Sequence, residues 1–172
     1  MRESLNGAQQ AAQESFLPLL RQLVRTYQMF EQRSHAHIRQ LGLTAAQFDV
    51  IATLGNTQGM TMNVLAEKTL VTKGTLTGIV DRLEQKGLVQ REVPPEDRRC
   101  FTIRLTPTGE ALFHRTFPQH IAYLKQFFQQ LSPDEQRQIQ NSLAKLETVL
   151  AQLPTDSSPE LDNSQRDAGD HG

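Results

Sequence analysis

The stretch VLAEKTLVTKGTLTGIVDRLEQKGLV, residues 64–89, decides the fold. Thr61 has the character of an N-cap for a short helix through MNVLAEK, and Thr72 for a second, KGTLTGIVDRLEQ, which Gly87 closes. Two short helices joined by a tight turn have helix-turn-helix proportions. At 100° per residue, Leu76, Ile79, Val80 and Leu83 of the second helix fall within one third of the circle and must face a core. The opposite side carries Gly74, Thr77, Gly78, Asp81 and Gln85, flanked by Lys73, Thr75 and Arg82. Each mid-helix glycine costs roughly 1 kcal/mol against alanine, which makes sense where a backbone must approach a groove floor closely. Lys73 and the N–H groups of Thr72 to Thr75 would then meet phosphate or base edges. A solvated helix face with tolerated glycines is the alternative.

Downstream the period changes. LVQREV and CFTIRL alternate apolar with polar, placing Phe101, Ile103 and Leu105 on one face and Thr102 and Arg104 on the other. The two runs flank PPEDRR, so the sequence predicts a hairpin that follows the candidate recognition helix and presents its tip to the same duplex, as a wing. Arg98 or Arg99 would enter a minor groove or grip its phosphates, with Asp97 pinning one guanidinium. The competing reading is a turn whose acids and bases neutralise one another in solvent.

The flanks are helical. Ser15 precedes FLPLLRQLVRTYQMFEQ, in which Phe16, Leu20, Leu23, Tyr27 and Phe30 form a stripe that continues weakly toward Ile38 and Leu41. Thr44 and Gln47 have capping-box spacing before Phe48, Ile51 and Leu54. Thr106-Pro107 restarts helix with Leu112, Phe113, Phe117, Ile121, Leu124, Phe128 and Leu131 at helical spacing, and Pro118 inside it predicts a kink. Ser132-Pro133-Asp134-Glu135 opens a last helix with the stripe Ile139, Leu143, Leu146, Leu150 and Leu153. The resulting division is a flexible N-terminus over 1–14, helical dimerisation segments over 15–41 and 107–153, a winged helix over 42–106 and a disordered acidic tail over 154–172. The fold class is mainly α with a small β-hairpin wing: a winged helix-turn-helix plus a helical dimerisation region.

Composition narrows the function. A net charge of −1 conceals an uneven distribution: residues 61–105 carry +2, and residues 154–172 carry −4 with almost nothing apolar to order them. One cysteine, Cys100, excludes an internal disulfide and a thiolate metal cluster and suits the cytoplasm. Cys100 reads as an inert strand residue, with redox activity assisted by Arg99 as the alternative. No apolar run approaches the roughly 20 residues that span a bilayer, and MRESLNGAQQAAQE lacks the apolar core of a signal peptide. There is no HExxH, GxSxG, Walker or GxGxxG motif, so no enzyme or cofactor is expected. His35, His37, His114 and His120 are spaced wrongly for sharing a metal on one helix face, so no metal is expected either.

The order of long helix, helix-turn-helix, EDRR turn, FTIRLTPTG and two closing helices resembles the MarR family of winged-helix transcriptional regulators. Its most specific part is the D-x-R wing followed by L-T-x-x-G, met by Asp97, Arg99, Leu105, Thr106 and Gly109. The resemblance implies an obligate homodimer, intertwined through its first and last two helices, that binds a pseudo-palindromic operator in double-stranded DNA. It carries recognition contacts over to Lys73, Gly74, Thr75 and Thr77, and the minor-groove role to Arg98 and Arg99. Thr72, Gly78 and Arg82 share that helix face. The apolar stripes of the terminal helices independently call for a second copy. The resemblance also implies release of DNA by an effector, and the expected site for a small aromatic or phenolic molecule is a cleft near Tyr27, His35, Phe48 and His114. A winged helix turned to protein contact, without DNA affinity, is the other functional class that fits.

Overall fold

A computed structural model describes residue 7, residues 9–92 and residues 101–152. Asp97, Arg98, Arg99 and Cys100 at the expected wing, and the acidic segment from residue 154, lie outside the described residues. Along the chain run α1 (Leu17–Gln40), α2 (Ala45–Leu54), β1 (Met60–Thr61), α3 (Met62–Lys68), α4 (Lys73–Gln85), β2 (Val89–Glu92), β3 (Thr102–Leu105), α5 (Pro107–Phe128) and α6 (Pro133–Gln152). Among the described residues no helix is long and apolar enough to cross a membrane.

Most boundaries follow from the caps. Thr44 and Gln47 make the reciprocal capping box at α2, and Thr61 Oγ1 accepts from Val64 N at the start of α3. Two helices end in the same way: Gly42 after α1 and Gly87 after α4 adopt φ of 81° and 67°. The next residue's N–H reaches back five positions in each case, Leu43 to Ile38 O and Leu88 to Leu83 O. Such paired closures need a left-handed residue that glycine supplies without strain. Ser15 does not cap α1: Phe16 holds that position with no side-chain bond, and Pro18 in the first turn marks the start instead. Thr72 holds the N-cap of α4 in extended backbone, but its hydroxyl lies 3.0 Å from Thr75 Oγ1 and caps no N–H.

The core is where the periodicities point. Leu76, Ile79, Val80 and Leu83 of α4 are buried with Val50, Ile51 and Leu54 of α2, Leu65 of α3, and Ile103 and Leu105 of β3. Truncating any of these leucines to alanine should cost about 2–5 kcal/mol. The hairpin pairs Val89 with Leu105 through Glu92 with Thr102. It belongs to a three-stranded antiparallel sheet, β1–β3–β2, because Met60 and Thr61 pair with Ile103 and Thr102 on the other edge of β3. Phe101 departs from the predicted inward face: it is exposed, and its ring sits 5.7 Å from the Arg91 guanidinium carbon.

Helix α5 is anchored to this core by a compact junction. Thr106 N donates to Leu88 O at 3.1 Å, Thr106 Oγ1 donates to Gly87 O at 2.6 Å, and Gly109 N donates to Thr106 Oγ1 at 3.1 Å. Gly109 is required there because a Cβ would lie 2.0 Å from Leu88 O. The L-T-x-x-G signature is thus the seam between the closure of α4 and the first turn of α5. The helix runs as one element through Pro118.

Contacts divide the chain into two units that meet at Phe127 and Phe128. Helix α1 and nearly all of α5 fall in the unit of the winged core, since Ser34 and Ile38 of α1 and Phe113, Thr116 and His120 of α5 are buried. The second unit contains α6, which opens on a capping box: Glu135 N donates to Ser132 Oγ at 3.3 Å and Ser132 N to Glu135 Oε2 at 2.7 Å. Those bonds to Ser132 hold the Glu135 carboxyl below its ordinary range. No residue of α6 is buried, so its stripe of Ile139, Leu143 and Leu150 stands exposed.

Candidate nucleic-acid interface

The outward face of α4 is built by exclusion. With its four large apolar side chains buried, Gly74, Thr75, Thr77, Arg82 and Gln85 are left exposed and Gly78 half-exposed. A Cβ added at Gly74 would meet nothing within 4 Å, and one at Gly78 only Arg82 Nη1 at 3.9 Å. Among the described residues, therefore, nothing within the chain demands glycine at either position. Thr72 and Lys73 stand at the helix start, with the Lys73 side chain outside the described residues. The N–H of Thr75 is not free, because it donates to Thr72 O at 2.9 Å.

An acid on this side is already neutralised. The Arg91 guanidinium, on β2, pairs with both Asp81 and Glu84 of α4, and Arg91 N also donates to Glu84 Oε1 at 3.3 Å. Chiefly through the hydrogen bond to Asp81, Arg91 is held above its ordinary pKa. Sequence reasoning missed this clamp because Arg91 was read only as a residue of the hairpin strand, with no partner on the helix. Arg104 pairs in turn with Glu92 across β2 and β3 at 3.0 Å. The described part of the hairpin is thus charge-balanced, and residues 93–100, with Asp97, Arg98 and Arg99, lie outside the described residues.

A second feature lies behind the start of α4. A cavity of about 470 Å³ opens between α1, α2, α5 and the turn before α4. It brings together Tyr27, His35 and Phe48 as the sequence suggested, with Thr72 and Thr75 of α4 in the wall. His114 is not in that wall: it is exposed on α5, with Nε2 3.8 Å from Glu110 Oε2. His120, nearly two turns further along, lines the cavity instead. The four-residue spacing Tyr27, Glu31, His35 stacks three polar groups on α1. Tyr27 donates to Glu31 Oε1 at 3.3 Å, and the Glu31 charge pushes the phenol pKa up. Asp49 was also missed, although it is the lone charged residue of α2. Its Oδ2 accepts from Leu70 N at 2.7 Å, and burial holds the carboxyl above its ordinary range, opposed in part by that bond.

Behind His120, His37 joins it in a packed cluster. His120 Nε2 lies 3.3 Å from Ser34 Oγ, and its Nδ1 lies 3.1 Å from His37 Nδ1. His37 stacks on Tyr123 at 4.1 Å, and Phe48 meets His120 edge-on at 4.8 Å. Among the described residues no group of three metal-ligating side chains converges. One Nδ1 of the His37–His120 pair must donate and the other accept, so a second proton replaces a hydrogen bond with repulsion. Burial and then His37 lower the His120 pKa below 6.5. At higher pH the ring is neutral in both folded and unfolded chains. As pH falls below that value the unfolded chain takes up the proton first, and stability drops toward the folded pKa. The thermal midpoint should therefore fall as the pH is lowered from about 7 through about 6.5 and below, and less steeply in His120→Gln. An equal slope in the variant would remove His120 as the cause.

Comparison with known proteins agrees with this geometry. A family model described as "MarR family" matches residues 41–99, which span α2 to the wing. An HTH-type transcriptional regulator of Bacillus cereus is 34% identical over 68% of this chain and 78% of its own. Among solved structures, Sco3205 of Streptomyces coelicolor, a MarR family transcriptional regulator in complex with DNA, aligns with TM-score 0.68 at 25% identity. That alignment covers 83% of this chain and 91% of Sco3205. BpsR of Bordetella bronchiseptica, whose DNA binding is regulated by 6-hydroxynicotinic acid, aligns with TM-score 0.68 at 28% identity over 78% of this chain and 96% of its own. With the L-T-x-x-G seam, the three-stranded sheet and the glycine-bearing α4 in place, the chain belongs to the MarR family of helix-turn-helix transcriptional regulators.

Proposed function

We propose that the chain is a cytoplasmic homodimeric repressor that occupies a pseudo-palindromic operator and leaves it when a small aromatic or phenolic molecule fills the cavity behind α4. The observation that carries this reading is the outward face of α4, where two glycines meet nothing in their own chain that would exclude a side chain. Duplex DNA supplies the missing neighbour. Thr72, Lys73, Gly74, Thr75, Thr77, Gly78 and Arg82 form the major-groove surface, and Asp97, Arg98 and Arg99 the minor-groove wing. Likeness to Sco3205, which is in complex with DNA, and to BpsR, which a small aromatic acid regulates, supports both halves of the reading. Exposed apolar stripes on α1, α5 and α6 support the dimer. A two-fold axis would set the two α4 helices about 34 Å apart, in successive major grooves.

The test is a pool of random duplexes selected with the full chain, followed by titration of the winning sequence at two salt concentrations. Binding should weaken steeply as salt rises. Arg99→Ala should weaken every sequence alike, whereas Thr75→Ala and Lys73→Ala should change which sequence wins, by about 1–3 kcal/mol at a contacted base pair. Absent or salt-insensitive binding would instead favour a winged helix that contacts protein.

A further inference from the structure

The cavity behind α4 has a charge character that composition does not reveal. Its volume of about 470 Å³ suits a small molecule, and Tyr27, Phe30 and Phe48 give it aromatic walls. Two of its lining residues are acids, Glu31 on α1 and Asp49 on α2, and among the described residues that line it none is lysine or arginine. The other titratable groups facing it are Tyr27, His35 and His120. From these residues we infer that the cavity selects a flat aromatic cation, an arylalkyl ammonium or amidinium, and rejects aromatic carboxylates of the same shape. This deepens, and rests on, the reading of the cavity as an effector site.

Three physical terms favour the cation. An ammonium beside Glu31 or Asp49 supplies a permanent counter-charge where the lining offers only His35, 4.0 Å from Glu31 Oε1 and a cation only when protonated, whereas a ligand carboxylate would add a third negative group. The half-buried Asp49 carboxyl, whose ionised form burial disfavours, gains most from such a partner. The aromatic faces attract a cation by their quadrupoles and cover its apolar body.

The same carboxylate makes occupancy felt at α4. Asp49 Oδ2 accepts from Leu70 N at 2.7 Å, and Leu70 begins the Leu70–Val71–Thr72 turn into α4. Thr72 and Thr75 themselves line the cavity. An ammonium that draws on Asp49 therefore shares a hydrogen-bond acceptor with the backbone that sets the start of the recognition helix.

The experiment uses the full chain without DNA and a matched pair of probes, 2-naphthylmethylammonium and 2-naphthoate, in isothermal titration near neutral pH. The amine should bind at least about tenfold tighter than the acid. Glu31→Gln should weaken the amine about five- to tenfold and narrow the discrimination, leaving the circular-dichroism melt unchanged. Asp49→Asn should act in the same direction, and because it also loosens the Leu70 turn its melt is recorded alongside, with Glu31→Gln deciding if it unfolds. Equal or tighter binding of the naphthoate overturns the inference. So does amine affinity that Glu31→Gln leaves untouched, or a cavity that takes neither probe because a second copy fills it. A chain that binds the amine but no duplex keeps this site and loses the regulator reading; one that binds duplex but not the amine does the reverse.

Discussion

Gly109→Ala is expected to destabilise the winged unit by more than about 3 kcal/mol, a large share of the stability of a domain this size. The new methyl would stand 2.0 Å from Leu88 O, 3.0 Å from Leu88 C and 3.3 Å from Leu105 Cδ2. The first two are backbone atoms and cannot swing aside. Leu88 is held from both directions, its N–H by Leu83 O at 2.9 Å and its carbonyl by Thr106 N at 3.1 Å. Relief therefore requires opening the closure of α4 or the first turn of α5. Urea unfolding monitored by circular dichroism measures the loss, and Gly74→Ala is the paired control. With nothing within 4 Å of its added methyl, Gly74→Ala should stabilise the helix by up to about 1 kcal/mol. It should nonetheless weaken duplex binding, because the methyl occupies the space the groove needs. A Gly109→Ala protein as stable as wild type would refute the seam.

Leu143→Asp is expected to abolish the proposed dimer and, with it, to weaken operator binding by a factor above about 100. Leu143 is 50% exposed, with Ile139 at 47% and Leu150 at 59% along the same stripe of α6. Because α6 buries nothing of its own, its apolar stripe calls for cover by another surface. A carboxylate in the middle of that cover cannot be desolvated cheaply. Sedimentation equilibrium should give a dimer for the wild type and a monomer or aggregate for the variant. Asn141→Asp, which adds the same charge on the opposite side of α6, should leave the dimer intact. If Leu143→Asp still sediments as a dimer, the two-fold arrangement must be built from another surface.

Much of the fold was legible because it rests on local rules. The four core positions of α4, the Thr44–Gln47 and Ser132–Glu135 boxes and the closing glycine at residue 87 each follow from spacing within a few residues. What sequence reasoning missed depends on partners distant in sequence. Strand β1 is only two residues long and exists because β3 offers it an edge, so no alternation could announce it. Phe101 continues the alternation in sequence, yet it lies beyond the strand and leans on Arg91 instead of the core. Of the four residues named for a cleft, Tyr27, His35 and Phe48 line the cavity and His114 does not. His114 and His120 are both on α5, and only the packing of Ser34, His37 and Phe48 decides that the second turns inward. Asp49 and Arg91 carried a readable signal, the single charge in a mainly apolar helix and a base 10 and 7 residues after two acids, that asked for a partner without naming it.

The Arg91 clamp bears on the DNA as well as on the protein. By fastening Asp81 and Glu84 to β2, it locks α4 to the strand that precedes the proposed wing. On the proposed reading, in which α4 and that wing both grip DNA, a half-site would hold a fixed phase between its two contacted tracts. One inserted base pair, about 3.4 Å of rise with its share of a turn, would bring one tract into place only by losing the other.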